Sequence, residues 1–126
     1  MPPFFLDANV DGDDLASALK GLGLAVKRSR TEFARGAPDV DWLPDVGSRG
    51  WVLISSDRRQ SRKPDELAAL KRARVRAFYF SSATMTSAAQ IEAFTKGLGQ
   101  VVRAVRKQTP PYVKIIRPSG AVKPLA

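Results

Sequence analysis

Apolar positions along this chain follow two patterns: short unbroken runs, and stripes spaced by three or four residues. Phe4-Phe5-Leu6 is a run that stops at Asp7, and Trp51-Val52-Leu53-Ile54 is one that stops at Ser55-Ser56-Asp57. Short continuous runs predict strands covered on both faces, as in a parallel sheet. Leu24-Ala25-Val26 and Val75 to Phe80 predict two more. Helical stripes lie between the runs. Leu15, Leu19 and Leu22 follow Asp11-Gly12-Asp13-Asp14, whose acids suit the first turn of a helix. Val40, Leu43 and Val46 predict a short second helix with Asp39 as its N-cap, limited by Pro44 and ended by Gly50. Pro64 suits the first turn of a third helix that turns Leu67 and Leu70 inward. Ser87 and Gln90 form a candidate capping box for a long helix with the stripe Ile91, Phe94, Leu98, Val101 and Val105. Lys27 to Pro38 reads as a polar loop.

The order is therefore β-α-β-α-β-α-β-α. After it, Tyr112 to Ile116 and Ala121 to Leu125 flank Arg117-Pro118-Ser119-Gly120, which reads as a small hairpin or an edge strand with a tail over roughly residues 110–126. Such alternation predicts an α/β fold, a mainly parallel central sheet with helices on both faces. The 126 residues suit one domain with one core.

Composition narrows the chemistry. The chain has no cysteine and no histidine, so disulfides, thiolate nucleophiles, zinc–thiolate sites and imidazole bases are excluded. Catalysis here must use carboxylates, hydroxyls, lysine, arginine or a hard metal held by oxygen. No apolar run approaches the roughly 20 residues of a membrane span. The start, Met1-Pro2-Pro3-Phe4-Phe5-Leu6-Asp7, lacks the basic region of a signal peptide, so the expected compartment is the cytoplasm. The net charge of +9 is uneven. Residues 1–57 hold six Lys/Arg against nine Asp/Glu, whereas residues 58–126 hold fifteen against three. An acidic patch joined to a basic surface suggests a polyanionic partner, most simply nucleic acid; a solvated basic face is the plainer alternative.

In open parallel sheets, sites lie beyond the carboxyl ends of the strands. Asp7 follows the first strand there and Asp57 the third. Asp39 begins the helix that leads into the third strand, so it can face the same edge, with Asp41 and Asp45 close behind. Each has a plain structural reading too: an Asx turn for Asp7 with Asn9, a cap for Asp39, a turn residue for Asp57. Together, though, carboxylates gathered at one edge repel one another unless a cation binds, and Mg²⁺ or Mn²⁺ suits an oxygen-only site. Directly after Asp57 come Arg58, Arg59, Arg62 and Lys63, placed where a phosphate backbone would lie beside such an ion, and arginine suits bidentate phosphate contacts. A second basic cluster, Lys71, Arg72, Arg74 and Arg76, reads equally well as substrate-binding or as solvated surface. Trp42 and Trp51 sit in apolar stretches and are expected in the core rather than stacked on bases.

Three segments resemble a known family. Leu6-Asp7-Ala8-Asn9, Ala37-Pro38-Asp39-Val40-Asp41-Trp42-Leu43-Pro44, and Gly50-Trp51-Val52-Leu53-Ile54-Ser55-Ser56-Asp57-Arg58-Arg59 look like the PIN-like domains of VapC-type toxins. The similarity continues through Arg62-Lys63-Pro64 and the strand from Val75 to Phe80, and weakens after about Ser82. The resemblance implies a PIN-like fold and a metal-dependent endoribonuclease, often the toxin of a toxin–antitoxin pair. By position it makes Asp7, Asp39 and Asp57 the catalytic and metal-binding acids with Mg²⁺ or Mn²⁺, and Ser55 their hydrogen-bonding support, beside Asn9. Where such nucleases usually carry a fourth acid, Arg58 and Arg59 stand here, and Asp41 is the residue placed to compensate. RNA, a cognate antitoxin and a second copy in a homodimer are the expected partners.

Two rivals come from other classes. A catalytically silent nucleic-acid-binding module on the same fold is favoured by the missing fourth acid. A receiver-like phosphoacceptor domain also gathers aspartates at strand ends, but Phe78-Tyr79-Phe80-Ser81-Ser82 carries no lysine after that late strand.

Overall fold

The computed structural model describes residues 1–56 and 63–125, with Asp39 described by its backbone alone. Six strands form one sheet: β1 (Phe4–Leu6), β2 (Val26–Arg28), β3 (Val52–Ser55), β4 (Arg76–Phe80), β5 (Tyr112–Ile116) and β6 (Val122–Pro124). Their order is β2-β1-β3-β4-β5-β6. β1 pairs in parallel with both β2 and β3, and β3–β4 and β4–β5 are parallel too; β6 alone is antiparallel, on β5. The expected α/β architecture is present. The hairpin reading of the last segment holds, but β5 is an interior strand and β6 forms the edge.

Period-two alternation sends the strand residues to two cores. Phe4, Leu6, Val52, Ile54, Phe78 and Phe80 pack under α1 (Asp13–Gly21) and under the long last helix. Phe5, Leu53, Ala77 and Tyr79 pack on the other face, with Trp42, Leu43 and Val46 of α3 (Asp39–Ser48) and Leu70 of α4 (Pro64–Arg72). Unbroken apolar runs arise because both faces are covered. Trp42 and Trp51 are buried against Phe5, with ring centroids 5.3 and 5.9 Å from it, which is the core role expected of them.

Several local readings shift. The second strand begins at Val26 rather than Leu24, and a four-residue helix α2 (Ser29–Glu32) lies within the stretch expected to be a loop. Asp39 is the first helical residue of α3, and Pro38 is the N-cap. Proline has no N–H to satisfy and its fixed φ suits a helix start, so it takes this place readily. Val40 is exposed, so the inner face of α3 is Trp42, Leu43 and Val46. The long helix α5 (Ser87–Lys107) is capped by Thr86, whose Oγ1 accepts from the Ala89 N–H at 3.1 Å, in place of the box expected from Ser87.

Close backbone contact fixes two helix positions. A Cβ at Gly47 would collide with the Ala73 carbonyl, so α3 and α4 touch backbone to backbone. A Cβ at Gly97 on α5 would lie 2.7 Å from the Gly120 carbonyl oxygen in the β5–β6 turn, while one at Gly99 meets nothing within 4 Å. Two alanine substitutions on one helix are therefore expected to have opposite signs. Gly99→Ala should stabilise the chain by about 0.5–1 kcal/mol through helix propensity. Gly97→Ala should destabilise it by about 1–2 kcal/mol, because overpacking outweighs that gain. Urea denaturation of the two variants checks both, and a Gly97→Ala chain as stable as Gly99→Ala would contradict the close approach.

Candidate active site at the carboxyl edge of the sheet

The strand order reverses at β1. The chain leaves β1 for β2 on one side and returns to β3 on the other, so a crevice opens between the carboxyl ends of β1 and β3. Leu6 pairs with Ile54, which puts Asp7 level with Ser55 just beyond the pairing. The Asp7 N–H still donates to the Ile54 carbonyl at 3.0 Å, so the strand register is kept up to the acid. Continuing the alternation, Asp7 follows Phe5 and Ser55 follows Leu53, towards the face covered by α3 and α4.

Asp7 is only 6% exposed, so its charge needs built-in donors. The Ala8 N–H donates to Asp7 Oδ1 at 2.6 Å as the chain turns into a short 3₁₀ segment, Ala8–Val10. The fully buried Ser55 hydroxyl lies 2.9 Å from Asp7 Oδ2 and 3.3 Å from Asn9 Oδ1, so its single proton goes chiefly to the carboxylate. The Ser56 N–H donates to Asn9 Oδ1 at 3.2 Å. Asp7, Asn9 and Ser55, separated by up to 48 positions, are thus brought together.

The other expected residues divide in two. Asp57, Arg58, Arg59 and Arg62 lie outside the described residues, as does the side chain of Asp39. The backbone of Asp39 is informative. Helix α3 enters β3 through a tight turn, with the Trp51 N–H donating to the Val46 carbonyl, so it runs against β3 and points its amino end to the Asp7 edge. Asp41 is exposed in the first turn of α3, and Lys63 is the exposed N-cap residue of α4, which is antiparallel to the strands in the same way. Two helix amino ends thus add positive dipole at this edge.

One arrangement at the edge was not foreseen. Asp11, 7% exposed, ends the 3₁₀ segment and is held by two arginines from the far side of β1. Arg28 Nε donates to its Oδ1 at 2.7 Å, and the Arg30 N–H donates to its Oδ2 at 2.9 Å. Both guanidinium groups also reach the Asp11 carbonyl, and Arg28 pairs with Asp13 at 2.8 Å. The pair Arg28 and Arg30, two apart in an otherwise polar stretch, with acids two apart at Asp11 and Asp13, was the signal in the sequence. This cluster is internally neutral. It pins the segment that carries Asp7 and Asn9, and Asp11 is spent on arginines rather than free to hold a cation.

Every donor that Asp7, Asn9 and Ser55 offer is oxygen, which suits a hard divalent ion and no soft one. Among the described residues no three acidic side chains gather closely enough to hold an ion by themselves. Among the described residues, too, no helix is long and apolar enough to cross a membrane.

The Arg28–Asp13 pair yields a pH prediction. The Arg28 hydrogen bond and charge, with Arg30 behind, hold the Asp13 carboxyl below its usual range. A carboxyl lowered in the folded state contributes stability above its unfolded pKa and loses it as pH falls through the folded one. Asp13→Asn should therefore be less stable than the parent near neutral pH. The gap should close as pH falls below the ordinary carboxylate range, and should shrink in high salt because Asp13 is exposed. Urea midpoints for both chains across pH 2–7 (roughly spanning the ordinary carboxylate range) measure this; a gap that widens on acidification would contradict the ion pair.

Comparison with known proteins agrees with this geometry. The family model described as PIN like domain matches residues 2–82, which includes β1, β3, β4 and every acid of the expected site. No curated protein and no solved structure matches the chain. The PIN-like fold is a nuclease-type fold, its members generally hydrolases that use divalent metals. With more than half its length matched, the chain belongs to the PIN-like domain family.

Proposed function

We propose that this PIN-like domain is a metal-dependent endoribonuclease of the VapC type, the toxin of a toxin–antitoxin pair. The observation that carries the reading is the carboxylate of Asp7, held at the β1/β3 crevice by the Ala8 N–H and the buried Ser55 hydroxyl. In this reading Asp7, Asp39 and Asp57 hold Mg²⁺ or Mn²⁺, and Asp41 supplies further negative charge. Such an ion, when bound, activates water and offsets the charge that builds on a phosphodiester under attack.

The chain's own residues have separable tasks. Ser55 and the Ala8 N–H orient the two oxygens of Asp7, so the carboxylate meets a ligand without reorganising. The Ser56 N–H fixes Asn9 Oδ1 beside it. Arg58, Arg59, Arg62 and Lys63 dock the RNA backbone, helped by the amino ends of α3 and α4. The acidic edge is also the surface an antitoxin segment would cover, with arginine as the natural complement to clustered carboxylates.

Purified chain, single-stranded RNA and added Mn²⁺ test this. Asp57→Asn and Asp7→Asn should lower cleavage by about 100-fold or more, while RNA affinity stays level or rises, since a negative charge near phosphates has gone. Ser55→Ala should weaken Mn²⁺ binding by about 10–100-fold, as expected for a group that orients a ligand. Arg58→Ala with Arg59→Ala should do the reverse, lowering affinity and its salt dependence while Mn²⁺ still binds. If wild type and Asp57→Asn cleave equally, or neither cleaves at any metal concentration, a silent nucleic-acid-binding module takes the place of the nuclease. That second reading draws on Arg58 and Arg59 standing where a fourth acid is usual. For the toxin role, co-expression with the neighbouring reading frame should yield a stable complex and relieve growth arrest; no complex and no arrest would remove it.

A further inference from the structure

Lys114 is out of place in its strand. It lies in β5 between Val113 and Ile115, on the side that Tyr112 and Ile116 turn towards α5, and is only 9% exposed. Its strand partners are Phe78 and Pro124, neither able to compensate a charge. Its stem is buried while its ammonium group opens on the groove beside α5, so the charge is held in one place and offered to whatever enters there. Among the described residues Lys114 makes no ion pair and no side-chain hydrogen bond. Its one electrostatic contact is the Tyr112 ring, 5.5 Å away. Burial pushes the Tyr112 phenol up to about 12, so that neighbour stays uncharged at neutral pH.

The surroundings add positive charge. Lys114 lines a cavity of about 280 Å³ between the second half of α5 and the β5–β6 hairpin, together with Arg103, Lys107, Gln100 and Gln108. Arg103 and Lys107 are four apart on one helix face, an unfavourable pairing of like charges. Among the described residues no ion pair joins Arg103, Lys107 or Lys114 to an acid. Beyond residue 62 the chain has only Asp65, Glu66 and Glu92. Asp65 and Glu66 start α4 on the opposite face of the sheet, and Glu92 is paired with Lys96 at 2.9 Å, two to four turns away along α5. The positive C-terminal residues of α5 complement its dipole, which accounts for solvated Arg106 and Lys107 but not for a third cation, Lys114, brought beside them from β5. A cavity of this volume has room for roughly nine waters' worth of ligand. Gln100 is held by the Gly120 carbonyl and the Val122 N–H, and the three cations with the Gln108 amide are the donor set that a tetrahedral oxyanion takes.

We propose that this cavity is a phosphate-binding site, separate from the acidic edge, in which Lys114, Arg103 and Lys107 meet the charge of a phosphate group. β5 lies three strands from β1, roughly 14 Å across the sheet at about 4.8 Å per strand, so the site cannot share one phosphate with Asp7. The same chemistry could come from the backbone of a nucleic acid strand or from a small phosphate compound, and the test separates these.

The full chain is prepared with ¹³C-labelled lysine, without metal, so that cleavage plays no part and the site stands or falls independently of the nuclease reading. The Lys114 Cε signal is assigned by its loss in Lys114→Met, and is followed during titration with inorganic phosphate and, separately, with a single-stranded oligonucleotide. Phosphate is expected to move the Lys114 signal. An oligonucleotide that also moves it identifies a nucleic acid strand as the source; movement by phosphate alone identifies a small phosphate compound. In the first case Lys114→Met should weaken oligonucleotide binding by about 5- to 10-fold and lower the salt slope by about one. Arg103→Gln, an exposed change that leaves the core intact, should weaken binding of either ligand in the same direction and keeps the test open if Lys114→Met folds poorly. A Lys114 signal unmoved by both ligands, or ligand affinities unchanged in Arg103→Gln, overturns the proposal.

Discussion

The pairing of β1 with β3 is the constraint on which the rest depends. Adjacent strands in sequence would be β1, β2 and β3, yet β1 sits between the other two. Parallel neighbours need crossovers, and reversing direction at β1 sends successive crossovers over opposite faces. Helix α1 therefore covers Phe4 and Leu6, and α3 covers Phe5. Both cores, the unbroken apolar runs and the crevice at the strand ends follow from that one reversal. A three-residue strand can bear this role because all three side chains are fully buried.

What the crevice requires is a charge that stays put. Asp7 is buried enough that solvent cannot stabilise it freely, so the fold supplies fixed donors from β3 and from its own next peptide. The neighbouring acid, Asp11, is handled in another way, by two guanidinium groups and a backbone N–H. These two aspartates, four positions apart, show how burial sorts like residues by task. One is closed off by counter-charges and serves as an anchor. The other, Asp7, is oriented at the crevice by the Ala8 N–H and the Ser55 hydroxyl.

The strand runs, the four longer helices and the position of Asp7 were legible because each has a local cause. A run stops where the sheet edge begins, and a stripe of 3.6 period needs a covered face. Asn9 and Ser55 could be named as neighbours of Asp7 on resemblance, and register then brings them together. The Asp11–Arg28–Arg30 cluster leaves only a faint trace, the matched two-residue spacings of its acids and arginines, because its partners are 17 and 19 positions apart and only the pairing of β1 with β2 brings them together. The helix caps were misplaced by one residue at Asp39 and Ser87, because proline at Pro38 and threonine at Thr86 compete for the same position and only backbone geometry decides. Lys114 was hidden in another way. A lone lysine in an apolar strand reads as an outward residue until the strand acquires neighbours on both sides.

The division of labour between the two thirds covered by the family match and the final third has a consequence for how the molecule comes into being. Asp7 and the crevice belong to the part of the chain that a ribosome makes first. Yet the aromatic face formed by Phe4, Phe78 and Phe80 is covered by Phe94, Val101 and Val105 of α5, and the open flank of β4 is closed by β5. Until those later residues emerge, the part of that face which α1 does not cover lacks its α5 partners, and β4 has an unpaired backbone edge. The segment whose sequence is least tied to the family is thus the one that decides when the rest can become a folded protein, and its identity is free to drift only as far as its bulk and its pairing are kept.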